Sequence, residues 1–409
     1  MADLSDIELI LINISGDDRP GVTAALAEIL SRHEAQILDI GQADIHHSLS
    51  LGILFSTTSE KSGDIMKDLL FKCYELSVKI RFSPITIEDY ERWVARQGKN
   101  RWIITILGRQ LKAKHIALVT DEIARQQLNI DSIQRLTGRM PLGENEEPRS
   151  KACVEFSVRG NPVDINAMRS RFLQISQSEE FDISLQEDNV FRRCRRLICF
   201  DMDSTLIETE VIDELADRAG VGPQVRAITE SAMRGEIDFC ESFQRRVALL
   251  KGLDESVMRE IAENLPITEG VERMMEVLKR TGYKTAILSG GFTYFGNYLK
   301  RRFGFDYVYA NELEIQDGKL TGRYVGDIVD GKRKAELLRI IAQVENINIA
   351  QTIAVGDGAN DLPMLSTAGL GIAFHAKPKV KQTARQSIST IGLDGVLYFL
   401  GFKDSYILS

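Results

Sequence analysis

Apolar and polar positions in the N-terminal half alternate between two rhythms. Residues 8–16 (Glu-Leu-Ile-Leu-Ile-Asn-Ile-Ser-Gly) read as a strand, and Val22, Ala25, Leu26, Ile29 and Leu30 then recur at helical spacing. Strand-like runs follow at 37–45 and 49–57, then an amphipathic helix near 62–75 and a strand at 78–82. The order returns from Arg101: strand 102–107, helix 114–127, strands 130–137 and 151–158, helix 163–176, strand 181–186. Each stretch predicts a β-α-β-β-α-β module of ferredoxin-like type. The two agree in element order and length, with little residue identity. The polar run Met140–Pro148 reads as a loop inside the second module, and Arg192–Arg196 as a solvated basic connector.

From Leu197 the pattern changes. Short continuous apolar runs at 197–200, 284–288 and 352–355 each end in a turn rich in Gly, Ser or Asp, as buried parallel strands do. Between the first two lies a helical stretch, about 208–270, in which Phe243, Val247 and Leu250 share a face. It predicts a small cap inserted into the sheet. Asp317-Gly318 between alternating runs predicts a hairpin. The expected organisation is α/β overall: modules over 1–90 and 100–187, then a Rossmann-like domain over 195–409 carrying the helical cap.

Composition narrows the function. With 44% hydrophobic and 27% charged residues, the chain has the balance of a globular protein, and 409 residues exceed one ordinary core. No apolar run is long enough to span a membrane, and the acidic start Met1–Asp6 is unlike a signal peptide, which predicts a cytoplasmic protein. A formal charge of −8 argues against nucleic acid or an anionic membrane as main partner. Cys73, Cys153, Cys194, Cys199 and Cys240 are scattered without a Cys-x-x-Cys, as expected of reduced, mostly buried thiols. The five histidines show no zinc spacing, and adjacent His46 and His47 would face opposite sides of a strand.

Candidate chemistry gathers at the ends of the later strands. Asp201-x-Asp203 follows Leu197–Phe200; Ser289-Gly290-Gly291 follows Thr285–Leu288; Lys334 lies near a helix start; Gly356-Asp357-Gly358-Ala359-Asn360-Asp361 follows Ile353–Val355. Open α/β sheets bind ligands at that end. Singly, each cluster is equally an ordinary turn or a solvated charge. Together, carboxylates from two strand ends suit a hard cation such as Mg²⁺, and a glycine-lined helix start suits phosphate. Their order along the chain resembles the haloacid dehalogenase superfamily over about residues 197–400. In detail, Asp201–Leu206, Ser289–Phe292 and Gly356–Asp361 are similar to the phosphoserine phosphatases of that superfamily.

The resemblance implies roles. Asp201 would be the nucleophile and Asp203 the general acid and base. Asp201, the Asp203 carbonyl and Asp357 would hold Mg²⁺, with Asp361 ordering that set. Ser289, Gly290, Lys334 and Asn360 would hold phosphate. In the cap, Glu210 would take the substrate ammonium and Arg246 its carboxylate, and Met233 and Phe239 would close over it. The substrate implied is O-phospho-L-serine. A phosphatase for another small phosphorylated amine or amino acid, or an amino-acid sensor with a weakly active catalytic half, remains open.

Asp17-Asp18-Arg19-Pro20-Gly21-Val22 joins the first strand to the first helix and, with the module pattern, resembles the ACT domain. That resemblance implies an amino-acid effector, L-serine or another, near Asp18 and Gly21, and pairing of modules into a homodimer or larger assembly. The second module keeps Gly108 after its strand but lacks the Asp-Arg-Pro-Gly run, so it is either structural or binds through Gly108 with altered selectivity.

Overall fold

The computed structural model describes residues 6–95, 98, 100–139 and 150–407, with the Met233 side chain also outside the description. The Met140–Pro148 segment, expected as a loop, therefore lies outside the described residues. The chain forms two compact units that divide between residues 99 and 100.

In the first unit, β1 (Ile7–Asp17), β2 (Gln36–Ile45), β3 (Ser48–Thr58) and β4 (Lys79–Ile85) form an antiparallel sheet in the order β2-β3-β1-β4. Alternation puts Ile10, Ile12 and Ile14 of β1 and Leu49, Leu51, Ile53 and Phe55 of β3 on one face. Leu26, Ile29 and Leu30 of helix Val22–Arg32 and Ile65 and Leu69 of helix Ser59–Glu75 cover that face. His46 and His47 are not on a strand. They form the two-residue turn between β2 and β3, with φ of 54° and 63°. A two-residue hairpin turn matches the strand twist only with both residues left-handed.

The second unit begins with β5 (Arg101–Gly108), β6 (Asn129–Arg135), β7 (Ala152–Arg159) and β8 (Asp182–Glu187), again antiparallel, in the order β6-β7-β5-β8. A seven-stranded sheet follows: β9 (Leu197–Phe200), β10 (Lys284–Phe292), β11 (Tyr307–Gln316), β12 (Lys319–Val325), β13 (Thr352–Gly356), β14 (Leu370–Phe374) and β15 (Gln386–Ile388). Its order is β12-β11-β10-β9-β13-β14-β15, parallel except for β12, which returns as a hairpin through Asp317-Gly318. All four residues of β9 are buried between β10 and β13. The chain leaves β9 for β10 on one side and reaches β13 on the other, so the crevice of this sheet opens at the end of β9.

Four helices, Val211–Arg218, Gly222–Met233, Phe239–Leu249 and Ser256–Glu263, form the cap between β9 and β10. Its two connections run side by side: Glu208 N donates to Pro266 O at 2.9 Å, Thr268 N donates to Leu206 O at 3.1 Å, and Ile207 bridges Ile267. Among the described residues, no helix is long and apolar enough to cross a membrane.

The second module is built into the seven-stranded domain. Leu107, Leu136 and Cys153 share a core with Val396, Leu397 and Phe399. Gln386 on β15 donates to Leu185 O (2.7 Å) and accepts from Leu185 N (3.0 Å), closing the open edge of β8. The connector departs from expectation, because Arg192 and Arg195 are buried rather than solvated. It passes between the module and the main sheet, so its alternate arginines are covered; Arg192 Nη2 donates to Glu155 at 2.6 Å and Arg195 Nη2 to Gln186 at 3.2 Å.

Candidate active site

Asp201 is the first residue past β9. Its N–H donates to Val355 O (2.9 Å), which continues the strand pairing, and its Oδ1 accepts from Met202 N (2.8 Å). Lys334, on helix Gly331–Val344, is fully buried and extends to the same point. Its Nζ lies 2.9 Å from Asp201 Oδ1 and 2.7 Å from Asp361 Oδ1. Asp361 Oδ2 accepts from Gly358 N (2.9 Å), and Thr205 Oγ1 donates to Asp357 Oδ1 (3.2 Å). Asp201, Asp357 and Asp361 thereby offer carboxylate oxygens that all lie within 4.8 Å of one another.

The electrostatics follow from burial. Burial and the Asp201 charge push Asp357 up to about 8 and Asp361 up to about 7. Burial alone would favour neutral Lys334, yet Asp201 and Asp361 outweigh it and hold the ammonium above its usual range. Asp203 is also buried, with Oδ1 accepting from Val211 N at 3.4 Å; burial, then Glu210 and Asp201, push its carboxyl well above the usual range.

Ser289 and Gly290 stand on the neighbouring strand end, where Ser289 Oγ accepts from Gly291 N (2.9 Å). A Cβ on Gly291 would fall 2.6 Å from Asp203 Oδ2 and 2.8 Å from Met202 Cε, so a side chain here would force both to shift. Asn311 is buried beneath the turn: Nδ2 donates to Gly290 O and Oδ1 accepts from Val329 N, both at 2.8 Å. In the sequence its only signal is a lone amide on a strand. Asn360 lies in the single turn Ala359–Asp361, where its carbonyl packs against Gly331 at the start of the Lys334 helix.

The cap adds Glu210, Arg246 and Phe239. Ser204, left-handed at φ 56°, donates from Oγ to Glu210 Oε1 (2.9 Å). The enclosing cleft raises the Glu210 carboxyl, with Asp201 and Asp213 adding and Ser204 and Arg246 opposing, although part of its surface is open to water. Arg246 is half-buried; burial lowers its guanidinium while Glu210, Asp213 and Asp203 pull it up. None of those acids comes within 4.0 Å of Arg246, which leaves its guanidinium free of ion pairs among the described residues. Phe239 covers the Ser289–Gly290 turn, since a Cβ on Gly290 would lie 2.9 Å from its Cζ. Met233 ends a cap helix, and its side chain is outside the described residues.

The expected effector positions lie elsewhere. In the first unit, Asp18 N donates to His47 O (2.8 Å), and Gly21 opens helix Val22–Arg32 at φ 95°. In the second, Gly108 closes β5 opposite Ala152, and the next residue, Arg109, is bound to Glu269 and to Thr390 O.

Comparison with known proteins agrees with this architecture. Residues 195–369 match the haloacid dehalogenase-like hydrolase family, and residues 8–83 and 101–186 each match an ACT domain. A phosphoserine phosphatase of Streptomyces coelicolor is 38% identical over 397 residues, covering 97% of this chain and 93% of that one. The phosphoserine phosphatase SerB2 of Mycobacterium tuberculosis is 39% identical over 396 residues, 96% and 93% of the two chains. Among solved structures, a HAD family hydrolase of Salmonella enterica serovar Typhi superposes with a TM-score of 0.63 at 32% identity, covering 73% of this chain and 98% of that one. A probable phosphoserine phosphatase of Vibrio cholerae superposes with 0.56 at 34% identity, covering 74% and 86%. The fold and site are those of a haloacid dehalogenase-like hydrolase preceded by ACT domains. Within that class, the chain belongs to the phosphoserine phosphatase family.

Proposed function

We propose that this chain hydrolyses O-phospho-L-serine to L-serine and phosphate through a phosphoaspartate on Asp201. The observation that carries this reading is the Lys334 ammonium held between Asp201 and Asp361, with Asp203 buried beside them. The Lys334 ammonium stands 2.9 Å from the Asp201 carboxylate that attacks, and burial, with Glu210 and Asp201, holds the Asp203 carboxyl well above its usual range, as a general acid requires.

In the first step an Asp201 carboxylate oxygen bonds to phosphorus as the bond to the serine oxygen breaks, and Asp203 gives that oxygen its proton. In the second step Asp203 takes a proton from water, the water oxygen bonds to phosphorus, and the bond to Asp201 breaks. Charge on the remaining phosphoryl oxygens is met by Lys334, the Ser289 hydroxyl and the Gly290 N–H, with Asn360 at the rim.

Asp201 and Asp357, with the Asp203 carbonyl, are the residues to hold Mg²⁺, and Asp361 orders them. The donor set is all oxygen, as Mg²⁺ prefers, and among the described residues five carboxylates here (Asp201, Asp203, Glu210, Asp357, Asp361) face two cations, Lys334 and Arg246. When bound, the ion offsets repulsion between the Asp201 carboxylate and the phosphate.

Glu210 and Arg246 set the substrate: one takes the ammonium, and the other's guanidinium, whose Nε donates to Ser242 O, meets the carboxylate with its two outer nitrogens in two parallel hydrogen bonds. Phe239 excludes water, with Met233 assigned beside it. An amino acid, L-serine by the chemistry of the product, acts as effector at the first-unit turn of Asp18 and Gly21, with Gly108 a second candidate. A homodimer through the first module is supported by edge strand β2, where Ile37, Ile40 and Ile45 are 43%, 49% and 75% exposed.

A substrate panel tests the assignment. Phosphate release with Mg²⁺ is expected to be fastest from O-phospho-L-serine and at least ~10-fold slower from phosphoethanolamine, which lacks the carboxylate. Equal rates would contradict the role of Arg246 and favour a broader phosphatase.

A further inference from the structure

Away from the catalytic carboxylates, a cavity of about 260 Å³ opens between the second module and the main sheet. One wall is β8 with the connector after it; the other is helix Leu362–Thr367 and the segments leading into β14 and β15. Arg169, Arg195 and Arg385 all line it, and none has a carboxylate oxygen within 4.0 Å among the described residues. Glu187, the single acid in the lining, is exposed.

Arg195 is only 7% exposed and makes one hydrogen bond, to Gln186; its Nε and Nη1 have no partner, and neither has Nε of Arg169. Arg192, three residues earlier and equally buried, also leaves its Nε without a partner among the described residues, but it has a carboxylate, Glu155, at 2.6 Å, which Arg195 lacks. Burial draws Arg195 down to about 10, and burial together with Arg385 lowers Arg169. A second space of about 160 Å³ shares Arg169 and Arg385 and adds Lys381. Unpaired buried cations cost several kcal/mol unless a counter-charge reaches them. The larger cavity lies below the roughly 300–1,000 Å³ of drug-sized sites, so its occupant is small.

We propose that this cavity binds a small phosphate-bearing anion through the guanidinium groups of Arg169, Arg195 and Arg385. Planar forks suit phosphate oxygens, which accept two bonds from each arginine. An occupant would touch the module and, at the same time, the helix that starts directly after Asp361.

The test uses the full chain with selenate, a divalent tetrahedral oxyanion located by anomalous scattering, and EDTA to silence hydrolysis. Wild-type crystals are expected to show a peak beside Arg195 and Arg385 that disappears in R169Q/R385Q, while any active-site peak persists. Arg385 is exposed and Arg169 half-buried, so this variant is expected to fold. Glycerol phosphate should displace the peak and succinate should not; displacement by succinate alone, or by neither, overturns the phosphate assignment. In solution, sulfate should bind the variant at least ~10-fold more weakly at this site, the worth of even one of the two charge-assisted pairs removed. Equal thermal shifts with sulfate in both proteins, or an empty cavity when the active site is filled, would overturn the proposal.

Discussion

Arg109 and Glu269 meet in a two-pronged ion pair, with Nη1 to Oε1 at 2.9 Å and Nη2 to Oε2 at 2.6 Å. Arg109 opens the loop after β5 of the second module, and Glu269 stands two residues past Ile267, which bridges Ile207 where the cap joins the sheet. The corresponding loop of the first module carries the Asp18–Gly21 turn. In the second, Arg109 of that loop holds the return connection of the cap instead.

Arg109→Ala and Glu269→Gln should therefore be coupled. Both side chains are about a third exposed (34% and 28%), so screening limits the pair. Each variant is expected to lose about 1–2 kcal/mol, and the double variant about 1 kcal/mol less than their sum. Denaturant unfolding of the four proteins measures this; strict additivity would contradict the coupling.

Arg246→Lys should separate substrates. The lysine keeps the charge but loses the fork, so kcat/KM for phosphoserine should fall about 30- to 200-fold, the worth of 2–3 kcal/mol. Phosphoethanolamine hydrolysis should change by less than about threefold, since it has no carboxylate to lose. Equal losses on both would place Arg246 in a structural role.

Lys334→Met leaves Asp201 and Asp361 buried without their shared cation. Stability is expected to drop by about 3–5 kcal/mol, and activity to background. Adding Asp361→Asn should restore part of the stability, by relieving repulsion, without restoring activity. Thermal unfolding with parallel assays reads both.

The thiols give a pH-dependent check. Burial raises Cys73 to about 11 and Cys153 and Cys199 further. A thiol alkylates as thiolate, so at pH 8 these three stay protonated and unreactive in the folded protein. Cys194 and Cys240, which are partly exposed, should be labelled first by iodoacetamide, and all five only after unfolding. Peptide mapping that found early labelling at Cys199 would contradict its place in β9.

Why these features were legible differs from residue to residue. The strand β9 shows in sequence because four apolar residues end abruptly at Asp201, and Asn13 barely interrupts the alternation of β1. The two modules show because their strands each keep one face apolar. His46 and His47 were misplaced because left-handed turns are normally marked by Gly or Asn, and histidine carries no such signal. Arg192 and Arg195 looked solvated because charge alone does not reveal that a second sheet covers a connector. Asn311 was passed over because its bonds join residues 290 and 329, which only the fold brings together. The Lys334 to Asp361 contact is equally nonlocal, and no local pattern marks it.

The central claim is that Asp201 carries the phosphoryl group, and trapping it is the direct measurement. Wild-type protein, mixed with phosphate-labelled phosphoserine and Mg²⁺ and quenched in acid during turnover, should carry label on the peptide containing Asp201. Asp201→Asn should show neither label nor turnover. Turnover by Asp201→Asn at the wild-type rate, or label on a different peptide, would contradict the account.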